Sequence, residues 1–214
     1  MKAKTLLWVP FAIFAIGIGL YPLTYYIFDM HGKGLWASKS AQLIANTAWH
    51  TAFYMHITFG GIAMLTGWTQ FSSRIRNNYL NLHRTLGKTY VVSVMLSSLA
   101  GFYIALFATG GITCTLGFGL LAASWFFTVT KAYTSILKKQ YKQHENWMIR
   151  NYALTFAAVT LRVYLPFSQA LMHIDFITAY RVISWLCWIP NLIIAEIIVS
   201  KRALIIAHLI KKPQ

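Results

Sequence analysis

The stretch HRTLGKTYVVSVMLSSLAGFYIALFA, residues 83–108, opens on basic residues and then carries no charge from Thr89 to Ala108. A bilayer core of about 30 Å needs about 20 predominantly apolar residues in a helix. This stretch therefore reads as a membrane span entered from a basic edge. The same junction recurs at HENWMIRNY, residues 144–152, where a histidine again precedes a long apolar run. Two histidines at the same kind of boundary predict one site built by two helices.

Working outward, four further apolar blocks give six spans, at Leu6 to Phe28, Thr47 to Phe71, Lys88 to Ala108, Ile112 to Tyr133, Arg150 to Met172 and Phe176 to Ser200. The first is too long for a signal-peptide core, has no small-residue cleavage site and contains Pro22, so it is read as a span. A composition of 57% hydrophobic and 11% charged residues agrees with a single integral membrane domain over residues 1–214. The predicted fold class is an all-α membrane protein of six transmembrane helices, with helices two to five as a four-helix core and two flanking helices. Function must then lie inside the bundle.

The formal net charge is +15, which in a soluble chain would suggest nucleic acid. Its distribution excludes that reading. Fifteen of the 19 Lys and Arg fall in four stretches: Lys2 and Lys4; Arg74, Arg76, Arg84 and Lys88; Lys131, Lys138, Lys139, Lys142 and Arg150; Lys201, Arg202, Lys211 and Lys212. With six spans all four lie on one side, which the positive-inside rule makes cytoplasmic. The expectation is a bacterial inner (cytoplasmic) membrane protein with both termini inside and basic loops against anionic lipid. Cys114 and Cys187 fall in spans without CxxC or CxxCH spacing and read as small apolar residues.

Polar residues within the spans are costly in hydrocarbon and usually face a cavity or a partner. At a rise of about 1.5 Å per residue, His56 lies roughly 21 Å from Gln70 at the inner edge, and Arg162 about 18 Å beyond Arg150. These two share a depth in the outer half. A second layer near the cytoplasmic edge holds Gln70, His83, His144, Asn151 and Glu196. His144, Met148, Asn151, Thr155 and Arg162 share a face of the fifth helix, and His56, Gly60, Ala63, Gly67 and Gln70 share one of the second. On the third helix the stripe is His83, Gly87, Tyr90, Val94, Ser97 and Gly101. Small residues beneath a histidine leave room for a flat ligand or for close helix packing. Arg162 needs a partner at its own depth. Asn191, carbonyls freed near Pro190 or a bound anion are placed to supply it, whereas Glu196 is too shallow.

The motif His144-x-x-Trp147-Met148-x-Arg150-x-Tyr152, continuing to Arg162-x-Tyr164-Leu165-Pro166, stands with Gln70-Phe71, with His83-Arg84-x-x-Gly87-x-x-Tyr90, and with Trp185-x-x-Trp188-x-Pro190-Asn191-x-x-x-Ala195-Glu196. Over about 47–199 this pattern closely resembles a family of bacterial predicted membrane proteins labelled as a domain of unknown function. The resemblance carries no activity with it. More distantly, the paired helices with interfacial histidines look like the transmembrane di-haem cytochromes b, whose four-helix core binds haem through histidines. That likeness is architectural.

Two functions follow as expectations. In the first, a haem b-binding protein of redox or quinone-linked electron transfer, His83 and His144 would ligate an inner haem and arginine would pair with its propionates. His56 would be the outer candidate, with His50 or His173 as partner. In the second, a small carrier or binding protein without redox chemistry, Arg162 neutralises an anionic ligand and Gln70, Asn191, Glu196 and the histidines line a polar path, with Tyr90, Asn151 and Arg150 as further polar residues within the spans. A homo-oligomer would give so small a body room for alternating access. A metal version needs His83, His144 and Glu196 to converge. His31 and His208 sit in loop and tail and carry no signal.

Overall fold

The structure is a computed structural model and describes residues 2–30 and 32–210. Met1, His31 and 211–214, and with them Lys211 and Lys212 of the basic tail, lie outside the described residues, as do the side chains of Lys2, Lys4 and His208.

Every element is helical among the described residues. Helix α1 (Lys2–Leu20) tightens at Pro22 into a 3-10 turn (Tyr21–Leu23) and continues as α2 (Thr24–Ile27). A connecting loop holds a second 3-10 turn (Gly34–Ser38) and α3 (Ala41–Ala45). The side chain of Asn46 accepts the Trp49 amide and starts α4 (Thr47–Gly67). A 3-10 turn (Trp68–Phe71) and α5 (Ser73–Asn78), capped by Ser72, lead into α6 (Leu80–Ala105). Gly110 and Gly111 then turn the chain at φ +103° and +76°, conformations that a side chain would strain. Helix α7 (Ile112–Leu137) follows, and then α8 (Tyr141–Thr155) and α9 (Ala157–Ala170). Asp175 caps α10 (Phe176–Leu186), and α11 (Ile189–Ile210) completes the described chain.

Four stretches are long and apolar enough to cross a membrane: Trp8–Ile27, Leu80–Ala105, Ile112–Leu137 and Phe176–Leu204. The two other expected spans differ for a physical reason. Helix α4 is long but diluted by His50, Thr51, His56, Thr58 and Thr66, and the expected fifth helix is interrupted at Phe156 between α8 and α9. Both carry the polar residues of the site.

Helix α4 packs along α6, α6 along α7 and α7 along α8. Helix α1 lies against α4, α10 against α7 and α9, and α11 against α8. The main buried cluster is not confined to the second to fifth apolar segments. Ala15 of α1 and Ala179, Ile183, Cys187 and Trp188 of the last segment share it with Met64, Tyr90, Val94, Val129 and Tyr152. A second cluster of Tyr25, Trp36, Trp49 and Phe53 packs the connecting loop against α4.

Candidate functional site

The deeper layer is built where α4 meets α6. His56 Nδ1 lies 2.9 Å from the Ser97 carbonyl oxygen and 3.1 Å from Ser97 Oγ, and Ser97 Oγ donates to the His56 carbonyl at 2.8 Å. A carbonyl only accepts, so Nδ1 carries a proton, and in the neutral ring the lone pair stands on Nε2. Gly101 makes this fit possible, because a Cβ there would stand 2.8 Å from Nδ1.

Arg162 of α9 belongs to the same region, and His56 lies within its electrostatic range. Its Nη1 donates to the Ala158 carbonyl at 3.0 Å, one turn back on its own helix. Its Cζ sits 4.6 Å from the centre of the Tyr21 ring, a cation–π contact, and Tyr25 and Tyr180 also lie within electrostatic range. Among the described residues no ion pair reaches Arg162.

Asn191, expected as a partner for Arg162, is employed elsewhere. Its Nδ2 donates to Thr160 Oγ1 at 2.9 Å, to the Cys187 carbonyl at 3.0 Å and to the Ala153 carbonyl at 3.3 Å. These acceptors border the interruptions of α8–α9 and α10–α11, where the regular helical bonding is broken. Asn191 therefore ties two broken helices together, and the guanidinium turns to its own backbone and to tyrosine.

In the inner layer, His83 and His144 come within electrostatic range of each other, with Arg76 and Arg84 beside them. His144 Nδ1 lies 2.9 Å from the Ala132 carbonyl, which only accepts, so Nδ1 carries a proton. His83 Nδ1 is buried without a hydrogen-bond partner. Glu196 does not converge on them. It takes a bidentate pair from Arg150, Nε to Oε1 at 2.6 Å and Nη2 to Oε2 at 2.8 Å, while the Arg150 guanidinium lies 4.7 Å from the Trp147 ring. Among the described residues no group of three His, Cys, Asp or Glu forms that could hold a metal ion. Glu145 instead joins Arg76 at 3.6 Å and Arg202, linking α5, α8 and α11.

Above the inner layer a buried polar network spans α6, α7 and α8. Tyr90 donates to Asn151 Oδ1 at 2.5 Å, and its oxygen lies 2.8 Å from Thr155 Oγ1. Asn151 Nδ2 donates to the Trp125 carbonyl and to Thr128 Oγ1, both at 2.8 Å, and Trp125 Nε1 donates to Thr155 Oγ1 at 2.9 Å. Asn151 is thus completely buried with its donors and acceptor engaged. Sequence reasoning found Tyr90 and Asn151 but missed Trp125 and Thr128. A Trp and a Thr one turn apart in an apolar helix look like ordinary packing.

The small residues beneath the histidines are covered by the protein itself. A Cβ on Gly67 would meet the rings of Tyr152 and Tyr90 at 2.4 and 2.5 Å, one on Gly60 the Ser97 hydroxyl at 3.2 Å, and one on Gly87 the Gln70 side chain at 3.1 Å. Gln70 Nε2 bonds Thr69 Oγ1 at 3.3 Å. Of the other histidines, His50 packs on Tyr54 and Trp36, with ring centres 4.8 and 6.0 Å away, and His173 is exposed in the turn before α10 at φ 53°.

No curated protein and no solved structure matches the chain. One family model does, described as a predicted membrane protein of unknown function, DUF2306, over residues 53–199. That region contains the whole of the polar layers, from His56 to Glu196. The chain belongs to the DUF2306 family of predicted membrane proteins.

Proposed function

We propose that the protein is a six-span bacterial inner-membrane protein that binds a small anionic ligand at Arg162, with both termini on the cytoplasmic side. The observation that carries this reading is the guanidinium itself. In the six-span reading it stands in a membrane-embedded layer, and it spends one donor on its own helix, although a guanidinium has five donors in a planar fork. A carboxylate or phosphate matches that fork bidentately and cancels the charge. His56, with its tautomer set by Ser97, and the Tyr21 ring supply a second polar contact and a wall. In this reading the Tyr90 and Asn151 network is the rigid floor below the ligand.

Native mass spectrometry of the purified protein tests it. A bound anion is expected on the unaltered protein and is lost in Arg162→Leu, with affinity falling by at least about 100-fold once the charge-assisted pair is gone. Arg162→Lys, which keeps the charge but not the fork, is expected to bind in between. An anion retained equally in Arg162→Leu sinks the reading.

The redox reading draws on a different observation. His144 has its Nδ1 held by a backbone carbonyl, which in the neutral ring leaves the lone pair on Nε2, the arrangement of a metal-ligating imidazole, and His83 lies near it. A haem b between them would have to displace Gln70 or the tyrosine rings that fill the neighbouring gaps. Oxidised and dithionite-reduced absorption spectra decide. A Soret band lost in His83→Ala and in His144→Ala supports haem, and colourless protein reconstituted in the presence of haem rejects it.

A further inference from the structure

The exposed face of α11 carries a shallow groove of about 500 Å³ in which Glu196, Ser200 and Lys201 follow an apolar stretch and are followed by Leu204. Its upper part is apolar, with Ile193 and Ile197 about half exposed and Leu192 beside them. Toward the other end it meets Glu196, Ser200 and Lys201 in succession. Because α11 belongs to a stretch long and apolar enough to span a membrane, this groove opens onto lipid. Its polar end stands beside Arg150 and Arg202, among the basic residues of one membrane edge.

We propose that this groove is a binding site for an amine-bearing phospholipid of the phosphatidylethanolamine type. The headgroup of such a lipid carries an ammonium and a phosphate joined by a two-carbon bridge, and the groove offers a partner for each at about one helical turn's spacing. The Glu196 carboxylate has about four acceptor positions, of which Arg150 uses two, and its side chain is 50% exposed. An ion pair at the edge of hydrocarbon is costly unless its remaining lone pairs are satisfied, and a lipid ammonium satisfies them. One turn further, about 6 Å along the axis, Ser200 and Lys201 donate to the phosphate. The acyl chain then lies along Ile197, Ile193 and Leu192. A phosphatidylglycerol headgroup lacks the ammonium and would bring only negative charge toward Glu196. The proposal does not depend on the Arg162 site.

The test is native mass spectrometry of the full chain from membranes of equimolar phosphatidylethanolamine and phosphatidylglycerol. The unaltered protein is expected to retain the ethanolamine lipid about 10-fold over the glycerol lipid. Lys201→Ala and Ile197→Trp are expected to lose the adduct, whereas Glu196→Gln is expected to keep a lipid but not the preference. Arg162→Leu is expected to retain the adduct, which separates this site from the deeper one. Equal retention of the two lipids, or an adduct that survives both Lys201→Ala and Ile197→Trp, overturns the proposal. So does a lipid-free dimer that Ile197→Trp dissociates, since a second copy would then be the occupant. A Glu196→Gln protein that keeps the ethanolamine preference overturns the proposal as well. If that variant fails to fold, Glu196→Asp, which keeps the carboxylate one methylene shorter, is expected to keep the preference, its loss counting against the proposal.

Discussion

At the scale of single residues, the side chains that dominate this protein are those whose polar atoms are buried with every partner in place. Asn151 is the clearest, held between Tyr90, Thr128 and the Trp125 carbonyl. Removing one partner from such a network strands the others in a low-dielectric interior, which costs more than the bond itself is worth. Tyr90→Phe is therefore expected to destabilise the protein by about 1–3 kcal/mol, because Asn151 Oδ1 loses its donor. Asn151→Leu also overfills a site shaped for an amide and is expected to lower the melting temperature further than Tyr90→Phe. Thermal unfolding in detergent, followed by tryptophan fluorescence, measures both. A Tyr90→Phe protein as stable as the parent would show that the short bond contributes nothing. Arg162 is the counter-case, a charged group with one donor used and an aromatic face beside it.

At the scale of elements, the informative feature is that the last two apolar segments are broken and that their breaks are cross-linked. The interruption at Phe156 separates α8 from α9, and that at Cys187 and Trp188 separates α10 from α11. Each leaves carbonyls without their usual donor one turn on. Asn191 Nδ2 reaches carbonyls at both, from Ala153 and Cys187, together with the Thr160 hydroxyl. Asn191→Leu is expected to loosen both breaks at once, raising amide hydrogen exchange in 153–160 and in 185–192 while α6 and α7 keep their protection. Exchange that rises across all helices equally would mean that Asn191 supports the whole bundle rather than this junction. The sequence pointed to Pro190 as the origin of free carbonyls, yet the unanticipated break at Phe156 has no proline. Nothing in its local composition sets it apart from the apolar residues around it.

At the scale of the whole molecule, most of the basic side chains gather at one end of the long helices. The loop of Lys33 and Lys39 joins the α6–α7 turn, where Lys39 Nζ donates to the Phe107 carbonyl at 2.5 Å and Ser38 Oγ lies 3.0 Å from Thr109 Oγ1. The loops of Arg74, Arg76, Lys138 and Lys142 lie at the other ends of α6 and α7. The six-span arrangement predicts that single cysteines placed at Lys33 and at Lys138 react from opposite sides of intact cells, with a membrane-impermeant maleimide labelling the first and not the second. The charge bias that orients the loops acts through the membrane and leaves the helix packing unaffected. Labelling of both positions from outside would overturn the topology.

The sequence by itself determined that this is a helical membrane protein, where its cations gather and which polar residues lie within apolar segments. Those properties follow from local composition and from the rise and period of a helix, and they need no knowledge of neighbours. Only the tertiary structure decided who meets whom. Arg150 takes Glu196, Tyr90 takes Asn151, Asn191 holds two breaks, and tyrosine rings close the space at Gly67. A helical period gives a residue its face and depth, but the partner depends on the rotation and spacing of a different helix, which no local pattern encodes.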